Sequence, residues 1–230
     1  MKVIGLIGGM SWESSAEYYR LINQAVRSRL GGQHSARSLM YSVDFQDVEV
    51  LQREGRWAEA ASLMADCAAR LERGGADFIV LCTNTMHKLA PAVERAVRIP
   101  LVHIADATAE AVRRAGVRRV GLLGTRYTME QDFYKGRLEG LHGLEVLTPG
   151  EADRKTVHEV IYEELCRGEV VEGSKQEYLR VIRALADRGA EGIILGCTEI
   201  TLLIKPEDTA MPLFDTTRLH AEEAVRRALE

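Results

Sequence analysis

The chain has 230 residues, of which 46% are hydrophobic and 28% charged, and a formal net charge of −4. Those values fit a globular protein of one or two domains with a sizeable core. They argue against the basic face that nucleic-acid binding needs, and no apolar run approaches the roughly 18 residues of a membrane helix.

The opening MKVIGLIGGM has one lysine and a short apolar run that ends in glycines. It lacks the h-region and cleavage site of a signal peptide, so it reads as the first strand, 2–7, of a cytoplasmic protein. A helical pattern follows at 12–29, then a strand at 38–44, a helix at 56–73 and a strand at 77–82. Next come a helix at 88–97, a strand at 100–104, a helix at 106–115 and a strand at 118–123. The remainder reads as helix 130–140, strand 143–147, helices 154–167 and 173–188, strands 191–196 and 212–215, and helix 217–229. Strand-length apolar runs alternating with amphipathic helices predict an α/β fold with parallel sheets covered on both faces.

The two halves echo each other. GADFIVLCTNT at 75–85 lines up with GAEGIILGCTE at 189–199, which sets Thr83 on Cys197 at an offset of 197 − 83 = 114. VIGLIGG at 3–9 resembles VGLLGT at 120–125, and IPLVHIADAT near 99 resembles MPLFDTT near 211. Three blocks in the same order predict two similar α/β units. The first is 1–104 plus 216–230 and the second 105–215, related by a pseudo-twofold axis with the site in the cleft between them. In open α/β sheets ligands bind at the carboxyl ends of strands. The loops expected there are Gly8-Gly9-Met10-Ser11, Thr83-Asn84-Thr85, Gly124-Thr125 and Cys197-Thr198-Glu199.

The four cysteines, Cys67, Cys82, Cys166 and Cys197, form neither CxxC pairs nor a disulfide framework. Cys67 and Cys166 lie in helical patterns and read as packing residues. Cys197 ends a strand just before a helix, where backbone N–H groups and the helix dipole would favour the thiolate and suit an acidic substrate. Two acid/base groups on opposite sides of one carbon are what inversion of a stereocentre requires. A small core cysteine at the end of a buried strand is the competing structural reading, and the repeated polar loops count against it. The six histidines show no metal-binding spacing, and His87 and His103 follow strand ends either as cleft residues or as structural ones. GLIGGMS is neither GxGxxG nor a P-loop, and no lysine stands as a Schiff-base residue.

Over its whole length the chain resembles the aspartate/glutamate racemase superfamily. The resemblance is carried by GLIGGMSWES at 5–14, CTNTMHK at 82–88, GTRYTM at 124–129 and GCTE at 196–199. Within that superfamily it is most similar to bacterial members specific for the L isomers. The resemblance implies cofactor-independent catalysis by two cysteines, one per unit, at the cleft. It implies substrate contacts at Met10, Gln52, Thr83, Asn84, Thr85, Thr198 and Glu199. Arg53 and Arg126 are further candidates for the substrate's side-chain carboxylate, chosen for charge and loop position. An acidic amino acid is the expected partner, without nucleic acid or membrane, and a homodimer is compatible with the resemblance.

The sequence departs from the family at one point. Where the usual motif is Cys-Asn-Thr, Thr83 precedes Asn84-Thr85, and Cys82 stands one residue earlier. One residue along a strand moves a side chain to the other face. Cys82 is therefore expected to point into the core, Thr83 to replace the first catalytic cysteine, and Cys197 to match the second. The expected activity is racemisation of aspartate and/or glutamate, favouring the L isomer. Two alternatives stand beside it: a one-cysteine decarboxylase of a malonate-like acid, against which the small polar loops argue, and an amino-acid-binding protein without turnover.

Overall fold

The computed structural model describes residues 1–230. The chain divides into two compact units, Met1–Ile104 with His220–Glu230, and Ala105–Leu219.

The first unit contains β1 (Ile4–Gly8), α1 (Trp12–Leu30), β2 (Ser38–Ser42), α2 (Phe45–Arg53) and α3 (Trp57–Arg73). It continues through β3 (Phe78–Leu81), a 3-10 turn at Thr85–Leu89, α4 (Ala90–Ala96) and β4 (Leu101–Val102). The chain crosses into the second unit in α5 (Ile104–Arg114). There follow β5 (Arg119–Gly124), α6 (Arg126–Glu130), α7 (Lys135–His142), β6 (Glu145–Leu147), α8 (Glu151–Glu163) and α9 (Glu172–Asp187). The last elements are β7 (Gly192–Gly196), α10 (Ile200–Leu203), β8 (Leu213–Asp215) and α11 (Thr216–Leu229), the last of which returns to the first unit. No helix is long and apolar enough to cross a membrane.

Each unit holds one four-stranded sheet, ordered β2-β1-β3-β4 in the first and β6-β5-β7-β8 in the second, and every pairing is parallel. The same strand order twice is the structural form of the sequence repeat. Parallel neighbours need long crossovers, which is why helices separate the strands. β1, β3 and β7 are buried along their whole length, as their continuous apolar runs predict.

Alternation along β3 builds the two faces of the first unit. Phe78, Val80 and Cys82 join Ile4, Leu6, Tyr18, Ile22 and the alanine-rich side of α11. Ile79 and Leu81 join Ile7, Met64, Cys67 and Leu71 on the α3 side. Complete burial of such an aliphatic side chain contributes roughly 1.5–3 kcal/mol. At the carboxyl end of β1, Gly9 has φ 92°, and a Cβ there would lie 2.2 Å from the Val43 carbonyl oxygen. Only glycine lets the β1 loop pass so close to the chain leaving β2.

Several local expectations shift. Helix α2 lies in a stretch where no helix was expected. Asp44 caps it by accepting from the Gln46 N–H at 3.0 Å, and only Val48 and Gln52 are buried along it. The stretch expected as one helix over 88–97 is a 3-10 turn followed by α4, with Pro91 in the first turn. The 130–140 helix is replaced by α6 and α7, because the backbone at Gln131 is extended and interrupts the run.

Candidate active site

In the first unit, β1 and β3 are neighbours, so their carboxyl ends emerge together. Ile7 pairs with Leu81, and the Cys82 N–H donates to the Ile7 carbonyl at 2.9 Å. Thr83 then turns the chain, its N–H donating to the Leu81 carbonyl at 2.8 Å. Thr83 is half-buried, whereas Asn84 and Thr85 are buried. Cys82 is 0% exposed and packs with Ile4, Leu6, Phe78 and Val80. Burial pushes its thiol far above the ordinary range, so it is a packing residue, as strand alternation predicts.

Met10 and Gln52 lie on the α3 side of the same unit. The Met10 side chain is part of the core cluster with Val48, Met64 and Met86. Gln52, 6% exposed, donates from Nε2 to the Met86 sulfur at 3.0 Å, which ties α2 to the loop carrying Thr83, Asn84 and Thr85. Arg53 does not share this placement. Successive residues of a helix are turned by about 100°, so Gln52 faces inward and Arg53 outward. The Arg53 side chain is 62% exposed and is engaged by Glu49 one turn earlier at 3.0 Å. Arg53, a candidate chosen for charge and loop position, thus closes α2 with its side chain turned to solvent, about 100° round the helix from Gln52.

In the second unit, Gly124 and Gly196 are paired in register, so the Thr125-Arg126 and Cys197 segments leave the sheet from adjacent strands. Thr125 caps α6, its side chain accepting from the Thr128 N–H. The Arg126 N–H donates to His158 Nδ1 at 3.3 Å. Burial first, and then the Arg126 charge, hold His158 below its ordinary pKa and keep that nitrogen an acceptor. The exposed Arg126 guanidinium has no carboxylate within ion-pair distance.

Cys197 is half-buried, and its thiol donates to Glu199 Oε2 at 2.9 Å. Burial pushes the thiol well above its ordinary value, and the Glu199 carboxylate and then Cys166 push it further. The expectation of a thiol lowered by a helix dipole is thereby corrected. α10 has only four residues, too short for an appreciable dipole, and the nearest charge is a carboxylate. Glu199 is 8% exposed and directed at the thiol. The Thr198 hydroxyl lies 2.9 Å from that of Thr217, and Thr216 donates to the Leu195 carbonyl at 2.9 Å. Both threonines follow β8 and escaped the sequence reading. The available signal was the DTT triplet, in which Asp215 accepts from the N–H groups of Thr217 and Arg218 at the start of α11. Cys67 is a buried packing residue, and Cys166 lies half-buried in the Leu165–Arg167 turn. No group of three or more His, Cys, Asp or Glu side chains is placed to hold a metal.

The Asp/Glu/Hydantoin racemase family model matches residues 7–224. A Yersinia pestis protein named as a candidate Asp/Glu racemase is 55% identical, with a TM-score of 0.95 over 100% of both chains. An aspartate racemase homologue from Pyrococcus horikoshii OT3 is 36% identical, with a TM-score of 0.87 over 100% of both chains. The broad specificity amino-acid racemase RacX of Bacillus subtilis (strain 168) is 24% identical over 174 residues, which is 73% of this chain and 71% of that protein.

Proposed function

This chain belongs to the Asp/Glu/Hydantoin racemase family, and on that premise we propose that it racemises aspartate and/or glutamate without a cofactor, with Cys197 as thiol acid/base and Thr83 in place of the usual first cysteine. The observation that carries the reading is the Cys197–Glu199 contact at the carboxyl end of β7. A thiol with a buried carboxylate 2.9 Å away has somewhere to send its proton. Glu199 takes the proton from Sγ, and the thiolate takes the α-proton of the L isomer. The resulting carbanion is reprotonated from Cys197 to regenerate L, or from the Thr83 hydroxyl to give D, and Thr83 then recovers its proton from solvent water while Cys197 and Glu199 release theirs to it.

The two routes are unequal. A thiol titrates ordinarily near 8.5, and an aliphatic hydroxyl is far less acidic, so Thr83 is a weak donor and a poor base. The L and D isomers have equal free energy in water. Inversion must therefore proceed with the same kcat/KM in both directions, and selectivity for L can appear only as exchange without inversion or as a difference in KM. Arg126 is the proposed partner of the side-chain carboxylate, since its guanidinium is exposed and unpaired beside the Cys197 strand. Gln52, Asn84, Thr85, Thr198 and the backbone at Met10 complete the proposed contacts. The reading requires the loops carrying Thr83 and Cys197 to reach one substrate.

The test is incubation of the protein with L-aspartate and L-glutamate in D2O, following the α-proton by NMR and the isomers by chiral chromatography. Deuterium uptake that outruns appearance of the D isomer is the expected result. Neither uptake nor inversion with either substrate, in a folded protein, would overturn the assignment.

A further inference from the structure

We infer that His87 is a positioning residue that fixes the Thr83 loop against the chain leaving β4. The inference rests on the racemase reading for its catalytic consequence, and on geometry alone for the contact.

His87 lies in the 3-10 turn after Thr83 and is 1% exposed. Its Nδ1 is 2.7 Å from the Thr83 carbonyl oxygen, which can only accept, so Nδ1 carries the hydrogen. Its Nε2 is 3.2 Å from the Ile104 N–H, which can only donate, so Nε2 is the acceptor. One neutral tautomer satisfies both contacts, and no other protonation state does. The rings of His103 and His220 pack against it, at centroid distances of 4.6 and 5.6 Å. His220 in turn donates from Nε2 to the Val102 carbonyl at 2.8 Å and accepts from the Tyr18 hydroxyl at 2.8 Å. The backbone from Val102 to Ile104 is thus held on both sides by histidines whose ring nitrogens have backbone or tyrosine partners. That leaves His87 without the free nitrogen a general base needs.

The second unit ties its equivalent loop by other means. After β7, Thr198 meets Thr217, which follows β8, at 2.9 Å. In each unit, then, the loop after the third strand is fastened to the segment after the fourth, by an imidazole in one and by hydroxyls in the other. The imidazole stands on the side where the reacting group is the weak one. A hydroxyl that delivers a proton poorly depends on alignment, and a displacement of about 1 Å can cost on the order of 100-fold in rate.

The test compares His87→Leu, His87→Asn and His87→Gln, each checked for folding by circular dichroism. The Asn amide nitrogen sits near the place of Nδ1 and can still donate to Thr83, while Gln reaches the place of Nε2. In D2O with L substrate, His87→Leu should lower D-isomer formation at least tenfold more than it lowers deuterium uptake. His87→Asn should restore the ratio, and His87→Gln should not. Nitrogen-15 NMR of the wild-type imidazoles should show His87 protonated on Nδ1, and the Thr83 carbonyl carbon should shift in His87→Gln but not in His87→Asn. If exchange and inversion fall together, His87 is only structural and the inference fails. An Nε2-protonated His87, or a Thr83 carbonyl indifferent to the substitutions, overturns the contact itself. A wild type that neither exchanges nor inverts defeats the racemase reading, and the NMR results then decide the contact alone. Should His87→Leu not fold, the Asn and Gln variants give the same discrimination.

Discussion

The Cys197 thiol donates to a Glu199 carboxylate oxygen at 2.9 Å, from the residue that follows β7 to one two positions further on. The carboxylate holds the thiol protonated, yet it is also the nearest acceptor when the thiol gives its proton up. On the proposed reading, that pairing would make Cys197 a reluctant base with a built-in relay.

Cys197→Ala should therefore lose the whole contribution of a general base, roughly 10²–10⁴-fold in exchange at the α-carbon. Glu199→Gln removes a negative neighbour that raises the thiol pKa. The sign follows: without that charge the thiolate forms at lower pH. The pH midpoint for alkylation of Cys197 by iodoacetamide, localised by mass spectrometry, should move down in Glu199→Gln. An unchanged or higher midpoint would remove Glu199 from the relay.

Thr83→Cys should place a second thiol on the other side of the reaction. Wild-type protein should exchange the α-proton of the D isomer no faster than it inverts, because only a hydroxyl is proposed to face that proton. The variant should take up deuterium from D2O into D substrate at a rate comparable with L. If D exchange stays undetectable while L exchange survives, Thr83 does not occupy the donor position.

The two arginine candidates separate cleanly. Arg126→Ala should lower kcat/KM for the acidic substrate by roughly 10–100-fold, the cost of a lost charged hydrogen bond. Arg53→Ala should leave it near wild type, because Arg53 is engaged by Glu49 on the exposed side of α2. Equal losses in the two variants would point to a general electrostatic effect instead.

The packing cysteines make a prediction about stability. Cys82→Ala should retain activity and cost about 1 kcal/mol, as small core truncations do. Burial, with Asp66 adding to it, raises the Cys67 thiol to about 11. Above the ordinary thiol range the unfolded chain loses this proton before the folded one does, so stability is full below that range. It should fall as pH rises toward about 11, by on the order of 2–3 kcal/mol for a shift of this size. Denaturant melts should show a shallower alkaline decline in Cys67→Ala.

Much of the fold was legible because its signals are local. Continuous apolar runs in β1, β3 and β7 announced buried parallel strands, and the repeat at an offset of 114 announced the same strand order twice. Alternation alone put Cys82 in the core with Val80 and Phe78. Helix α2 was missed although Phe45, Val48 and Leu51 stand at helical spacing, because it spans only nine residues and follows closely on β2.

By itself, the sequence determined the strands, their repetition and the departure of Thr83 from the family motif, all of which follow from periodicity along the chain. Only the tertiary structure decided what those residues meet. Gln52 faces Met86 and Arg53 faces solvent because of helix rotation against a neighbouring element. His87 reaches Ile104, 17 residues away, because β3 and β4 are adjacent in the sheet. Cys197 is held as a thiol because burial and Glu199 outweigh the four-residue helix that follows it. Proton positions depend on burial and on distances of about 3 Å across folded elements, and no spacing of letters encodes those.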